Sequence, residues 1–176
     1  PNGNTNRTLT LPDEAGTMAL QGGAGVGKVL QVVNVTTGAV ATGTTLIPSD
    51  DTIPQITEGT EFLTLALTPS SATSKLRIDV IIFLVHSAAT AGLIAALFQD
   101  STASALAVAT NQNPNPGGIM PMCLTYYVTA GTTSSTTFRV RGGSNDGGTV
   151  TFNGSGGSRK FGGVYSSTIT ITEIAA

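Results

Sequence analysis

The side chains that most often do chemistry are scarce in this sequence. Among its 176 residues there is one histidine, His86, and one cysteine, Cys123. A nucleophilic triad would need His86 near Cys123 or an activated Ser, with an orienting carboxylate, and nothing in the spacing supports that arrangement. Cys123 lies in an apolar, strand-like setting, so we expect a buried thiol. We expect His86 near a strand end or a subunit seam, and we predict no catalytic residue.

Two acidic turns contain oxygen ligands of the kind that Ca²⁺ binds. They are Asp50-Asp51 and the stretch Ser144-Asn145-Asp146-Gly147. Neither matches a complete calcium-loop pattern. Turn formation by Asp and Asn explains both more simply, so the sequence predicts no metal site. A glycosidase would need two carboxylates facing each other across a cleft, which leaves a glycan-degrading enzyme as the third and weakest reading.

A glycine-rich stretch matches the first part of a phosphate-binding loop. Gly22 is followed after four residues by Gly27 and Lys28. Val29 stands where a hydroxyl would be needed for Mg²⁺, and a strand rather than a helix follows. We therefore interpret the stretch as a glycine hinge and expect no cofactor.

Composition restricts the class of protein further. Hydrophobic residues make up 40% of the chain and charged residues only 10%, against roughly 25% charged in average globular domains. The net charge of −2 gives no basic stripe for phosphates, so we expect no nucleic-acid partner. No apolar run is long enough to span a bilayer, so we expect no membrane insertion.

Alternating apolar residues predict a series of short strands separated by Gly, Pro and Asn turns. This pattern is typical of an antiparallel sandwich or jelly roll. The C-terminal strand alternates so regularly that we expect it to be paired near the middle of a sheet. The predicted strands are 29–35, 45–47, 61–68, 74–86, 92–99, 103–110 (strand or short helix), 120–129, 135–141, 149–153 and 165–174.

The stretch from Ser74 to His86 is the strand around which the rest of the chain is organised. Its first half alternates apolar and polar residues, which indicates one buried and one solvated face. From Val80 to Val85 all six residues are apolar, so this half needs cover on both faces. One cover is the opposite sheet. We expect the second to be another copy of the chain, with Ile81, Phe83 and Val85 in the interface.

Several short segments, in order along the chain, carry a family resemblance. They are Val40–Thr45, Asp50–Gln55, Glu58–Glu61, Ser71–Leu76, Ala96–Ser101, Thr129–Thr133 and Gly162–Ser167 running into Ile171–Ile174. Taken together they resemble the C-terminal globular region of tailed-bacteriophage fibre and appendage proteins. The resemblance covers roughly residues 28–176, and Leu9 to Thr17 resembles the end of a fibre stalk. It implies a homotrimer with a β-rich head that touches the host surface and carries no catalytic residues.

A receptor-binding head needs amides for hydrogen bonds and aromatic rings for stacking on sugars. Tyr126 and Tyr127 are neighbours in a strand, so one of them must point away from the core, and the sequence has no Trp. Amide-rich turns supply the remaining candidates. The predicted receptor-binding residues are Asn111, Asn113, Asn115, Tyr127, Asn145, Asp146 and Asn153.

These observations lead to one prediction of architecture and function. Residues 1–27 form stalk strands and a glycine-rich hinge, with Leu9 and Leu11 in the trimer interface. Residues 28–176 form a β-sandwich, jelly-roll-like head. We expect a homotrimeric virion appendage, joined to other virion proteins at its N-terminal side, that binds a host surface glycan or protein without catalysis. The alternative is a purely structural capsid or tail decoration that caps and registers the trimer.

Overall fold

The computed structural model describes residues 27–88, 91–112, 115 and 117–176. These residues form strands and a single 3-10 turn at Phe161–Gly163, with no helix long and apolar enough to cross a membrane. The predicted stalk, with Leu9 and Leu11, lies outside the described residues. The strands are β1 (Val29–Thr37), β2 (Ala41–Gly43), β3 (Thr60–Leu67), β4 (Lys75–His86), β5 (Gly92–Gln99), β6 (Ala107–Gln112), β7 (Met120–Thr129), β8 (Thr136–Ser144), β9 (Val150–Phe152), β10 (Gly154–Ser155), β11 (Ser158–Arg159) and β12 (Ser167–Ile174).

The strands form two antiparallel sheets that pack face to face. In the first sheet β12 lies between β1 and β4, and β7 pairs with the opposite edge of β4. The end of β4 also pairs with β9, which in turn pairs with β2. The second sheet has the order β3-β8-β5-β6, and β10 and β11 form a small hairpin. Every pairing is antiparallel, so the predicted β-sandwich of jelly-roll type is confirmed.

The main core lies between the two sheets. Leu76 and Ile78 of β4 and Ile169 and Ile171 of β12 are fully buried there, against Phe138 of β8. Period-two alternation places them on one face because successive side chains of a strand point to opposite sides. The C-terminal strand is central in its sheet, as the sequence predicted.

Strand β5 is buried on both of its faces. One face belongs to the main core, and the other carries Ile94 and Phe98, which pack with Ile47 in a second, smaller core. Ile47 ends the predicted strand 45–47, which does not form. Its segment instead crosses the outside of the second sheet, and the Ile47 side chain, 0% exposed, covers β5.

The second face of β4 is covered only in part by the chain itself. Val85 is 1% exposed, and the ring of Phe83 lies 4.2 Å from that of Tyr165 between centroids. Ile81 remains 41% exposed. Val85 is thus covered within its own chain and needs no second copy, contrary to the expectation, whereas Ile81 still lacks cover.

Strand register defines two ends of the sandwich. At the base end β1 begins, β12 ends and β4 begins, with Val29 opposite Ile174 and Lys75 opposite Thr129. The distal end contains the end of β4 and the start of β5. Because residues 1–26 precede β1, they join the described residues at the base end.

Candidate functional site

Two of the predicted receptor-binding residues meet at the distal end. Asn111 at the end of β6 and Asn145 just after β8 line one shallow cleft of about 440 Å³. The register brings them together, since Leu93 of β5 lies between Asn111 and Ser144. The cleft is uncharged and rich in hydrogen-bonding groups; its lining is Ser49, Gly92, Thr110, Asn111, Gln112 and Asn145.

Asn145 is held rigidly in the wall of this cleft. Its Oδ1 accepts a hydrogen bond from the Gly92 backbone N–H at 2.7 Å, and its own N–H donates to the Gly92 carbonyl at 3.1 Å. A Cβ at position 92 would lie 2.9 Å from Asn145 Oδ1, so a side chain there would require the Asn145 amide to shift. The amide is therefore fixed by a main-chain clamp before any ligand arrives.

Asn111 is tied down by shorter-range contacts. Its Oδ1 accepts from the Gln112 N–H at 2.8 Å, and its Nδ2 donates to the Pro121 carbonyl at 3.4 Å. The second of these bonds is long, so the amide N–H groups are available to a ligand at little cost.

The other polar loop residues that were predicted do not line the cleft. Asp146 is exposed and forms its own turn, with Oδ1 accepting from the Gly147 N–H at 2.8 Å. Asn115 is exposed, and its loop is joined to β4 through a hydrogen bond from Gly117 N–H to the His86 carbonyl. Asn113 lies outside the described residues.

The cleft continues along β6 into a more acidic and apolar stretch of about 390 Å³. Asp50, Asp51 and Ile53 lie on one side of it and Val108 on the other. The pKa of Asp50 is lowered because its carboxylate accepts hydrogen bonds from the hydroxyl and the backbone N–H of Thr52. This stretch joins negative charge to exposed aliphatic surface.

Ser49 and Thr110 are site residues that sequence analysis missed. The sequence around Ser49 predicts a turn, and Thr110 ends a segment whose alternation only weakly predicts a strand. The turn crosses β6 only because Ile47 anchors it over β5, and no local pattern carries that long-range contact.

The prediction of an exposed turn at Asn153 is wrong. The residue is 0% exposed, its Nδ2 donates to the Thr37 and Ala39 carbonyls, and its Oδ1 accepts from the Ser167 hydroxyl at 2.6 Å. Its φ of +53° is one that Asn adopts more readily than most residues. Asn153 is a structural link between the end of β1 and the start of β12.

Tyr127 lies away from the cleft, on the outward side of the first sheet. This surface, the open sheet face, is formed by β1, β12, β4 and β7. Tyr127 is 54% exposed, and the Arg77 guanidinium lies 5.9 Å from the centre of its ring. The face consists of three aligned rows: Val32, Thr172, Arg77 and Tyr127; Asn34, Thr170, Asp79 and Thr125; and Thr36, Thr168, Ile81 and Cys123.

Cys123 is exposed on this face, so the expectation of a buried thiol is wrong. Met122 and Leu124 are buried, and alternation turns the residue between them outward. His86 is buried at the end of β4, where its Nδ1 accepts from the Ala88 N–H at 3.0 Å. The described residues contain no group of three His, Cys, Asp or Glu side chains arranged to hold a metal.

Comparison with known proteins identifies no family. No family model matches the chain, and no curated protein matches it by sequence. Among solved structures it is similar to the Eiger TNF of S. frugiperda, with 10% identity over 82% of this chain and 93% of that chain and a TM-score of 0.45. It is similar to an infectious bursal disease virus structure, with 15% identity over 84% of this chain and 37% of that one and a TM-score of 0.38.

A third similar structure is the enzymatically active domain of tailspike protein 4 of bacteriophage CBA120. The identity is 16% over 69% of this chain and 18% of that chain, with a TM-score of 0.28. This chain therefore spans a minor part of both the bursal virus chain and the tailspike chain. At TM-scores below 0.5 none of the three assigns a function to it.

Proposed function

We propose that this chain is the head of a homotrimeric virion appendage, such as a bacteriophage fibre, that attaches to a glycan or protein on the host surface without breaking bonds. One observation carries the proposal: the junction with residues 1–26 and the amide-lined cleft lie at opposite ends of the sandwich. A head carried on a stalk needs this polarity, with its mount at one end and its contact surface at the other. The sequence resemblance to fibre and appendage proteins supports the same reading.

The open sheet face supports the trimeric part of the proposal. It leaves Val32 56% and Ile81 41% exposed. Its central charges cancel, because Arg77 and Asp79 form an ion pair at 2.9 Å and Thr125 donates to Asp79 at 2.8 Å. In a symmetric trimer a side chain near the axis lies close to the same side chain of the other copies. An unpaired charge there would therefore be repelled by like charges, and a neutral surface avoids this. Sister chains on this face would bury Ile81 without bringing unpaired charges together at its centre.

The cleft supports recognition rather than catalysis. Its lining presents amide and hydroxyl groups, which hydrogen-bond to sugar hydroxyls and peptide groups. Asn145 is fixed by Gly92 in advance, so binding costs little ordering entropy there. An array of neutral, pre-positioned donors and acceptors is suited to holding a polar ligand.

Two substitutions of the same kind test the attachment role. Ser49→Arg places a long cation in the cleft, and Ser134→Arg places the same cation on an exposed turn between β7 and β8 at the base end. We expect fluorescent Ser134→Arg protein to bind bacterial cells as the parent does, and Ser49→Arg protein to lose that binding. Equal binding by both variants contradicts a role for the cleft. Binding to purified virion parts and to no cell favours the structural alternative.

Sedimentation equilibrium tests the assembly. We expect a species of three times the 17.7-kDa chain mass at micromolar concentration. A monomer under those conditions contradicts the trimer and removes the need for cover on Ile81.

A further inference from the structure

The most exposed aromatic side chain among the described residues lies outside the cleft. Phe161 is 71% exposed and Val164 is 83% exposed, both in the segment between β11 and β12. We call residues 159–165 the Phe161 loop. Together the two side chains leave an apolar surface in contact with water.

The backbone holds the Phe161 ring outward. Phe161 has φ +48°, and the next two residues, Gly162 and Gly163, have φ +65° and +95°. Positive φ is unfavourable for a residue with a Cβ, so the conformation persists only because the loop is fastened on both sides. Hydrogen bonds from Gly163 N–H to the Lys160 carbonyl and from Val164 N–H to the Phe161 carbonyl close the turn.

The loop rests on two supports. A Cβ on Gly38 would overlap the Gly163 carbonyl, so the end of β1 and the loop touch main chain to main chain. Tyr165 packs between Phe83 and Phe161, with ring centres 4.2 Å and 6.1 Å away. Burial in this aromatic group raises the pKa of Tyr165 to about 12. The exposed Phe161 ring is therefore supported by the packed rings of Tyr165 and Phe83.

Positive charge accompanies the ring. Arg159 and Lys160 are both exposed, and neither is in an ion pair with a carboxylate of the described residues. The Arg159 guanidinium folds along the loop, with Nη1 3.4 Å from the position of a Cβ on Gly163. Between Asp146 and Glu173 the sequence has no acidic residue. The charge of this pair is thus not neutralised locally.

We infer that the Phe161 loop is a second receptor subsite, which takes an acidic sugar. The ring packs on the apolar face of the pyranose, and the two cations bind its carboxylate or phosphate group. This inference rests on the proposed attachment function and names the chemistry of one ligand. A lipid surface fits less well, because the loop offers two exposed apolar side chains, far less than a membrane-bound amphipathic helix buries.

Binding of defined oligosaccharides to the full chain tests the inference. The acidic probes are alginate oligosaccharides, which carry carboxylates, and delipidated lipopolysaccharide core, which carries phosphates; dextran of similar length is the neutral probe. We expect isothermal titration to show binding of at least one acidic probe, weakened by added salt, and none of dextran. Equal binding of dextran, or binding of neither acidic probe, overturns the inference.

Three variants locate the binding. R159Q/K160Q removes two positive charges from the loop, and K28Q/K75Q removes two from exposed positions at the base end, so both carry the same net charge. We expect about a tenfold or greater loss of affinity in R159Q/K160Q and little change in K28Q/K75Q. Phe161→Asn removes the ring at a φ that Asn tolerates, and we expect a loss of about fivefold or more.

Three results would overturn the assignment. Equal losses in both double variants mean that the acidic probe responds to net charge alone. Binding of the parent chain to vesicles of anionic phospholipid that R159Q/K160Q abolishes, without glycan binding, assigns the loop to a lipid surface instead. If R159Q/K160Q binds host cells as the parent does, the loop inference fails while the attachment function stands. If the chain binds the acidic glycan but binds no cells, the Phe161 loop remains a glycan-binding site and the proposed attachment function fails.

Discussion

Strands β4 and β5 share a sequence property and differ in how the fold satisfies it. Both carry apolar residues on their two faces, and both face the main core with one of them. On its other face β5 is sealed by the segment that carries Ile47, whereas β4 keeps Ile81 exposed. A two-sided apolar strand therefore shows that a second cover is needed. It does not show whether a loop of the same chain or another molecule supplies it.

The comparison of β4 with β5 predicts, first, that removing a side chain from the covered face of β5 greatly destabilises the protein. Phe98→Ala removes a fully buried ring from the small core beneath Ile47. We expect the free energy of unfolding to fall by about 3–5 kcal/mol, because the lost burial and the remaining cavity both cost stability. Chemical denaturation monitored by circular dichroism measures it. A loss below about 1 kcal/mol would mean that the cover over β5 is loose and that the contrast with β4 is false.

At the base end of β12 the chain also buries a polar side chain of its own, Glu173. The Glu173 carboxylate is fully buried, and it accepts hydrogen bonds from Gln31 Nε2 at 2.6 Å, the Ser70 hydroxyl at 2.8 Å and the Ser70 N–H at 2.9 Å. Burial by itself would raise its pKa. The hydrogen bonds from Gln31 and Ser70 outweigh burial and lower the pKa to about 2.

This carboxylate predicts a specific acid sensitivity. Its folded pKa of about 2 lies below the ordinary value of 4.5, so its stabilisation is complete above pH 4.5 and is lost as the pH falls toward 2. We expect Glu173→Gln to lower the free energy of unfolding by about 1–3 kcal/mol at pH 7. The gap between parent and variant should narrow between pH 4.5 and 2 in urea titrations. A gap that stays constant would contradict the lowered pKa.

Alternation of residue types was sufficient to predict the strands and much of the core. It placed β5 and β7 at their observed bounds and β12 inside its sheet, because burial on a strand follows a period of two. The same rule, applied to Met122 and Leu124, would have turned Cys123 outward. The error there came from treating an apolar neighbourhood as a buried one.

Long-range contacts account for what sequence reasoning missed. Asn153 reads as a turn residue, and only the approach of Thr37 and Ser167 makes it a buried link. The amide loops were predicted, but the pairing of β5 with β6 and β8 decides that Asn111 and Asn145 meet. Phe161 was missed as a surface aromatic because its exposure depends on a left-handed backbone that no periodicity reveals.

The smallest expected effect on the single chain is at Ile81, and it tests the other half of the comparison. Ile81→Lys changes a residue 41% exposed on the open sheet face, and Val108→Lys makes the same change at a residue 45% exposed on β6. We expect each to alter the free energy of unfolding of the protomer by less than about 1 kcal/mol, since surface substitutions cost little.

The two variants should differ in assembly. A trimer that buries the open sheet face would place three Ile81→Lys ammonium groups in a desolvated seam, which is strongly unfavourable. Sedimentation equilibrium should therefore find Ile81→Lys monomeric and Val108→Lys assembled like the parent. If Ile81→Lys is trimeric and Val108→Lys is monomeric, the trimer interface lies on β6 and not on the open sheet face. In that case Ile81 would be an ordinary exposed residue, and β4 would need no cover beyond the one that Tyr165 already gives to Phe83.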